Sequence, residues 1–131
     1  MTKITIIKLS RPVKRDLNHE LQWLGLSLGL FNTRDKDKSC FRIFIELLKS
    51  AKQQESLTSD ELGEKLSLTR GTIIHHIDKL MDSGLVIHEK NKYLLRVEKL
   101  SSLIEEVEKD LERTTKNLKQ VAHDIDNWLG L

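Results

Sequence analysis

The chain has little of what most functional classes require. It holds one cysteine, Cys40, in 131 residues, which excludes an intramolecular disulfide and any cysteine-rich metal site. Aromatic residues make up 5%, fewer than a barrel or sandwich is expected to use. No apolar run approaches the roughly 20 residues of a membrane span. The opening MTKITIIKLSRPVKR lacks the long apolar stretch and small-residue cleavage site of a signal peptide, so a cytoplasmic protein without membrane contact is expected. No glycine-rich phosphate loop follows a strand and no nucleophile–base pair is suggested. The expectation is therefore no enzyme, no cofactor and no metal.

Only one proline and six glycines interrupt a composition that is 38% hydrophobic and 32% charged, which favours a mostly helical protein. The net charge of +2 is unevenly spread. Residues 1–38 hold eight lysines and arginines against four acids, residues 39–97 nine against eight, and residues 98–131 five against eight. A basic front and an acidic tail suit an anionic partner at one end of the molecule.

The pattern divides the chain into three segments. Residues 1–38 read as an N-terminal arm and a short helix. The β-branched run Ile4-Thr5-Ile6-Ile7 favours a strand or extended arm, and Leu17, Leu21, Leu24, Leu28 and Phe31 make one stripe of a helix capped near Asp16 or Asn18. Gly25 and Gly29 weaken that helix. A charged linker follows.

Residues 39–97 carry the chemistry. Ser39 can cap a helix whose Phe41, Phe44, Ile45 and Leu48 share a face, and Thr58-Ser59-Asp60-Glu61 has capping-box spacing. Ser67-Leu68 turns tightly into a helix capped by Thr69 and stopped by Ser83-Gly84, with Ile73, Ile77 and Leu80 inward. Strands over 85–88 and 92–97 enclose a tip at Glu89-Lys90-Asn91, with Asn91 left-handed. Helix, helix, tight turn, helix and β-hairpin make a winged helix-turn-helix.

Residues 98–131 read as a long helix. Val97, Leu100, Ile104, Val107, Leu111, Thr114, Leu118, Val121, Ile125 and Trp128 alternate in steps of three and four, a heptad seam. A rod of about 48 Å cannot bury such a stripe against a domain this small, so a partner helix is expected, with the helix folded back on its own domain as the alternative. The dimerisation residues are Leu100, Ile104, Val107, Leu111, Leu118, Val121, Ile125 and Trp128. Glu105–Lys109 and Glu112–Lys116 have i, i+4 spacing. The fold class is thus mainly α, a winged helix-turn-helix with a small hairpin wing and a long C-terminal dimerisation helix.

The stretch Leu68-Thr69-Arg70-Gly71-Thr72-Ile73-Ile74-His75-His76-Ile77-Asp78-Lys79-Leu80 resembles the recognition helix of ArsR-like transcription regulators, and the resemblance continues through Gly84-Leu85-Val86 to Tyr93-Leu94-Leu95. It implies a homodimer on double-stranded DNA. With Ile73, Ile77 and Leu80 inward, Arg70 can fork two bonds to a guanine edge, Thr69 and Thr72 can donate to phosphate, and His75 can reach a base or the backbone. Gly71 lets the duplex approach closely. Lys79 suits phosphate, and Lys90, Asn91 and Lys92 in the wing are expected at phosphate or the minor groove. His76 is expected half-buried, and Arg96 paired with an acid at the base of the hairpin. The cysteine pair with which the ArsR-like group senses metals is absent, and His123-Asp124, being adjacent, do not share a helix face. Cys40 is expected in the core rather than as a redox switch. A winged-helix protein-interaction adaptor and a non-specific architectural DNA binder remain open alternatives.

Overall fold

A computed structural model describes residues 2–131. In chain order the elements are α1 (Leu17–Ser27), α2 (Ser39–Lys52), α3 (Ser59–Leu66), α4 (Arg70–Asp82), β1 (Val86–Glu89), β2 (Lys92–Leu95) and α5 (Leu100–Leu129). This is a mostly helical winged helix-turn-helix with a two-stranded antiparallel wing and a long C-terminal helix.

Local chemistry sets the helix starts. Asp16 accepts from His19 N at 2.9 Å and caps α1. Thr58 and Glu61 form the full capping box of α3, and the Thr69 hydroxyl accepts from Thr72 N to cap α4. Ser39 is not a cap. It lies inside α2 and is buried, and the capping position falls on Lys38 in the left-handed conformation. The wing tip is a two-residue turn, because Glu89 pairs with Lys92 and both Lys90 and Asn91 take positive φ, the twist that two-residue hairpins need.

The core joins Ile43, Phe44 and Leu47 of α2, Leu62 of α3, Ile73, Ile77 and Leu80 of α4, the wing residues Val86, Tyr93 and Leu95, and Leu103 of α5. The buried face of α2 is therefore rotated from the expected one, and Ile45 and Leu48 are only partly buried. Phe41 turns away toward the N-terminal segment, where its ring meets Phe31 at 5.0 Å between centroids. Two faces of α2 are consumed because the N-terminal segment packs on the second.

That segment settles one expectation and departs from another. Residues 2–12 form an arm with no strand pairing, tied at Lys3 N to Asp82 O and at Ile7 N to Ser27 O. The short helix ends at Ser27 rather than Phe31, since Gly29 takes φ +71 and turns the chain so that Leu30 and Phe31 enter the core separately.

In α5 the first turns fold back on the chain's own domain and the outer seam is left uncovered. Leu103 and Val107 are buried in the chain's own domain and Leu100 is half-buried. Val107 is thus committed internally rather than free for a partner. From Ile104 outward the apolar side chains of Leu111, Leu118, Val121, Ile125 and Trp128 are exposed. The i, i+4 pairs expected on this helix are replaced by Lys109–Glu106 and Arg113–Asp110, both i, i+3.

Candidate nucleic-acid interface

The turn between α3 and α4 places the candidate site. Ser67 takes a left-handed conformation, Leu68 N donates to Gly63 O at 3.0 Å, and Thr69 starts the next helix. A Cβ on Gly63 would meet Leu68 O at 2.8 Å, so this close crossing needs glycine. Arg42 on α2 donates from Nη2 to Leu66 O at 2.7 Å and fixes the end of α3. Arg42 was not singled out from the sequence. Its long stem on a helix face carries no local sign of a bond 24 residues away.

Burying Ile73, Ile77 and Leu80 fixes the rotation of α4. Thr69, Arg70, Gly71 and His75 are then exposed and Thr72 half-exposed on its N-terminal half. Arg70 has no ion-pair partner among the described residues. A Cβ on Gly71 would meet nothing within 4 Å, so no neighbour in the chain demands glycine there. Thr69 Oγ1 donates to Thr72 Oγ1 at 2.9 Å, which aligns two hydroxyls at the helix start.

The wing packs beside the start of α3. Tyr93 exchanges backbone bonds with Leu57, just before α3, and Lys92 is close enough to Glu61 to help hold that carboxyl below its ordinary pKa, after the hydrogen bonds from Thr58. Lys90, Asn91 and Lys92 are exposed at the tip. His88, also exposed, stacks on Tyr93 at 4.6 Å between centroids; sequence reading passed over it as an ordinary strand residue.

Lys79 is held apart from the group. It sits near the far end of α4 and donates from Nζ to Gly29 O at 3.0 Å, a contact across 50 residues. His76 is half-buried as expected; burial first, then the neighbouring His75 and Lys79, push its pKa down, and its Nδ1 is buried without a protein partner among the described residues. Arg96 pairs with acids, but with Asp110 and Glu106 on α5 rather than with one in the hairpin. Cys40 is buried and its thiol is pushed up to about 11, chiefly by desolvation, the opposite of a reactive thiolate. Among the described residues no helix is long and apolar enough to cross a membrane, and no group of three or more His, Cys, Asp or Glu is placed to hold a metal ion.

An exposed polar helix start beside a basic hairpin tip is the geometry with which helix-turn-helix proteins meet a duplex. Residues 44–93 match a family described as an HTH domain. The match spans α2 from Phe44, α3, the turn, α4 and the wing as far as Tyr93, and excludes the arm, α1 and α5. No curated protein and no solved structure matches the chain significantly.

Proposed function

We propose that the chain is a sequence-reading, double-stranded DNA-binding transcription regulator that acts in the cytoplasm as a homodimer, of the kind found in the ArsR-like group but without its metal-sensing cysteines. The observation that carries this reading is the open N-terminal half of α4, where Arg70 is exposed with neither an acid nor a carbonyl to satisfy it among the described residues, in a domain whose wing also exposes Lys90, Asn91 and Lys92. Arg70 reads a guanine edge through its fork, while Thr69, Thr72 and His75 hold phosphate or base. Gly71 admits the backbone of the duplex. Lys90, Asn91 and Lys92 contact the next stretch of backbone, and Lys79 steadies the far end of the helix and adds positive charge.

The homodimer rests on the outer seam of α5, where Leu111, Leu118, Val121, Ile125 and Trp128 are exposed together with Ile104. A soluble rod does not leave such a stripe in water without cost.

The test is selection of bound duplexes from a random pool at about physiological salt, with Arg70→Ala in parallel. A paired, inverted site that the variant reads more loosely at one position is the expected result. Equal enrichment of all duplexes would replace this reading with a non-specific architectural binder. A folded protein that ignores DNA would replace it with a protein-interaction adaptor.

A further inference from the structure

The exposed seam of α5 has a symmetry that bears on how two copies pair. Its outermost stripe consists of Ile104, Leu111, Leu118 and Ile125, with 37%, 40%, 65% and 42% of their surfaces in solvent. These positions repeat every seven residues and are symmetric about the point between Thr114 and Thr115, so the stripe reads the same in both directions. The helix rotates its other apolar side, Leu103 and Val107, into its own domain. Beyond Leu111 the line of Val107 continues through Val121 and Trp128, which are exposed, as is Leu129.

A groove lies at the opposite end of the rod. Leu17, Leu21, Leu24 and Leu100, with Arg11 and Trp23 at its edge, line a hollow of about 320 Å³ between the arm, α1 and the start of α5. Glu20 also lines it, while the arm on its edge is basic: residues 8–15 carry Lys8, Arg11, Lys14 and Arg15 and no acid. Arg11 and Arg15 share Glu20, at 3.7 and 2.6 Å, while Lys8 and Lys14 have no acidic partner among the described residues. The last turns of α5 have the complementary character. Residues 120–131 carry Asp124 and Asp126 with no lysine or arginine, and expose Val121, Ile125, Trp128 and Leu129.

We infer that two copies of the chain pair through α5 in antiparallel orientation, with the C-terminal turns of each rod seated on the arm–α1 groove of the other. This deepens the homodimer reading above and rests on it. Ile104 packs on the partner's Ile125 and Leu111 on the partner's Leu118, with the small Thr114 and Thr115 at the two-fold axis. The partner's Trp128 and Leu129 then arrive over Leu100 and the leucines of α1, and the partner's Asp124 and Asp126 come to the basic arm. The spacing also fits a duplex. Leu103, the fully buried anchor of each rod, lies about 34 Å along the axis from its counterpart at roughly 1.5 Å per residue. That is comparable to the roughly 34 Å between successive major grooves on one side of DNA. Parallel pairing places the two anchors about 10 Å apart and leaves both grooves open.

Disulfide trapping tests the orientation in the full chain with Cys40→Ser as background. The double variant Ile104→Cys/Ile125→Cys is expected to convert mostly to covalent dimer on mild oxidation, and either single variant to do so hardly at all. The two cysteines cannot bridge within one chain, since they lie about 31 Å apart on one helix. Efficient cross-linking of Ile125→Cys alone would mean a parallel pair, overturning the orientation while keeping the dimer. Absent cross-links with a dimeric mass by light scattering would place the interface elsewhere. Absent cross-links with a monomeric mass would overturn the homodimer reading as well.

Discussion

Arg96 at the end of the wing and Asp110 on the long helix lie 2.5 Å apart between Nη1 and Oδ2, and the same guanidinium reaches Glu106 at 3.4 Å and Gly84 O at 3.5 Å. One side chain thereby joins the stop of the recognition helix, the wing and the rod. The hydrogen bond from Arg96 holds the Asp110 carboxyl below its ordinary pKa; burial opposes this, and the charges of Arg96 and Arg113 add to it. A carboxylate depressed in the fold contributes stability above its unfolded pKa of about 4 and loses it as pH falls below that value. Asp110→Asn is expected to cost about 1 kcal/mol at pH 7, since the pair is partly shielded from solvent, and much less near pH 3. Urea midpoints at the two pH values check this. A gap of equal size at both would show that charge is not what the pair supplies.

Two glycines make opposite predictions. A Cβ on Gly25 would lie 2.6 Å from the Phe41 ring and 2.8 Å from Phe31, deep between α1 and α2, whereas one on Gly71 meets nothing. Gly25→Ala must push aromatic rings in a packed interior and is expected to destabilise by about 1–3 kcal/mol. Gly71→Ala removes a flexible residue from an exposed helix and is expected to stabilise by about 0.5–1 kcal/mol. If α4 enters a groove at this point, the stabilised variant binds DNA several-fold more weakly. Unchanged affinity in a more stable Gly71→Ala protein would move the duplex away from this turn.

Why the recognition helix was legible while the N-terminal segment was not follows from where the determinants lie. Thr58, Glu61, Thr69 and Gly84 act on neighbours three or four residues away, so the starts of α3 and α4 and the stop of α4 stand in the sequence itself. Ile73, Ile77 and Leu80 then fix which residues face outward. The arm has no such local grammar. Its course depends on Asp82 and Ser27, distant in sequence, and the left-handed Gly29 ended α1 before the leucine stripe ran out. The face of α2 is hidden for a related reason: a helix covered on two sides shows no single apolar stripe. The ties of Lys79 to Gly29 and of Arg42 to Leu66 cross long stretches of chain, and nothing in the local pattern announces them.

Cys40 offers a test of packing around the same junction. Its thiol is buried and raised to about 11, first by desolvation and further by Asp35, against a lowering by Lys79. A thiol whose pKa is raised in the fold contributes stability below its unfolded pKa of about 8.5, and that contribution fades as pH rises toward the folded value. Native protein at pH 8 is expected to react with a soluble thiol reagent orders of magnitude more slowly than urea-unfolded protein. Comparable rates would mean that the α1–α2 junction opens readily in solution.

The wing and the far end of α4 can be separated by the salt dependence of DNA binding. Lys90 and Lys92 stand exposed at the hairpin tip, whereas the ammonium of Lys79 is engaged by Gly29 O. Each phosphate neutralised on binding contributes close to one to the slope of log affinity against log salt. Lys90→Ala and Lys92→Ala are each expected to lower that slope by about 1 and to weaken binding evenly across sequences. Lys79→Ala is expected to change the slope less, because its charge contributes from a tethered position, and to act instead through the placement of α4. Affinities measured between about 50 and 200 mM salt, for the four proteins on one selected duplex, read this directly. A full unit lost by Lys79→Ala, with the wing variants unchanged, would turn the molecule on the duplex so that the far end of α4, rather than the wing, lies along the phosphates.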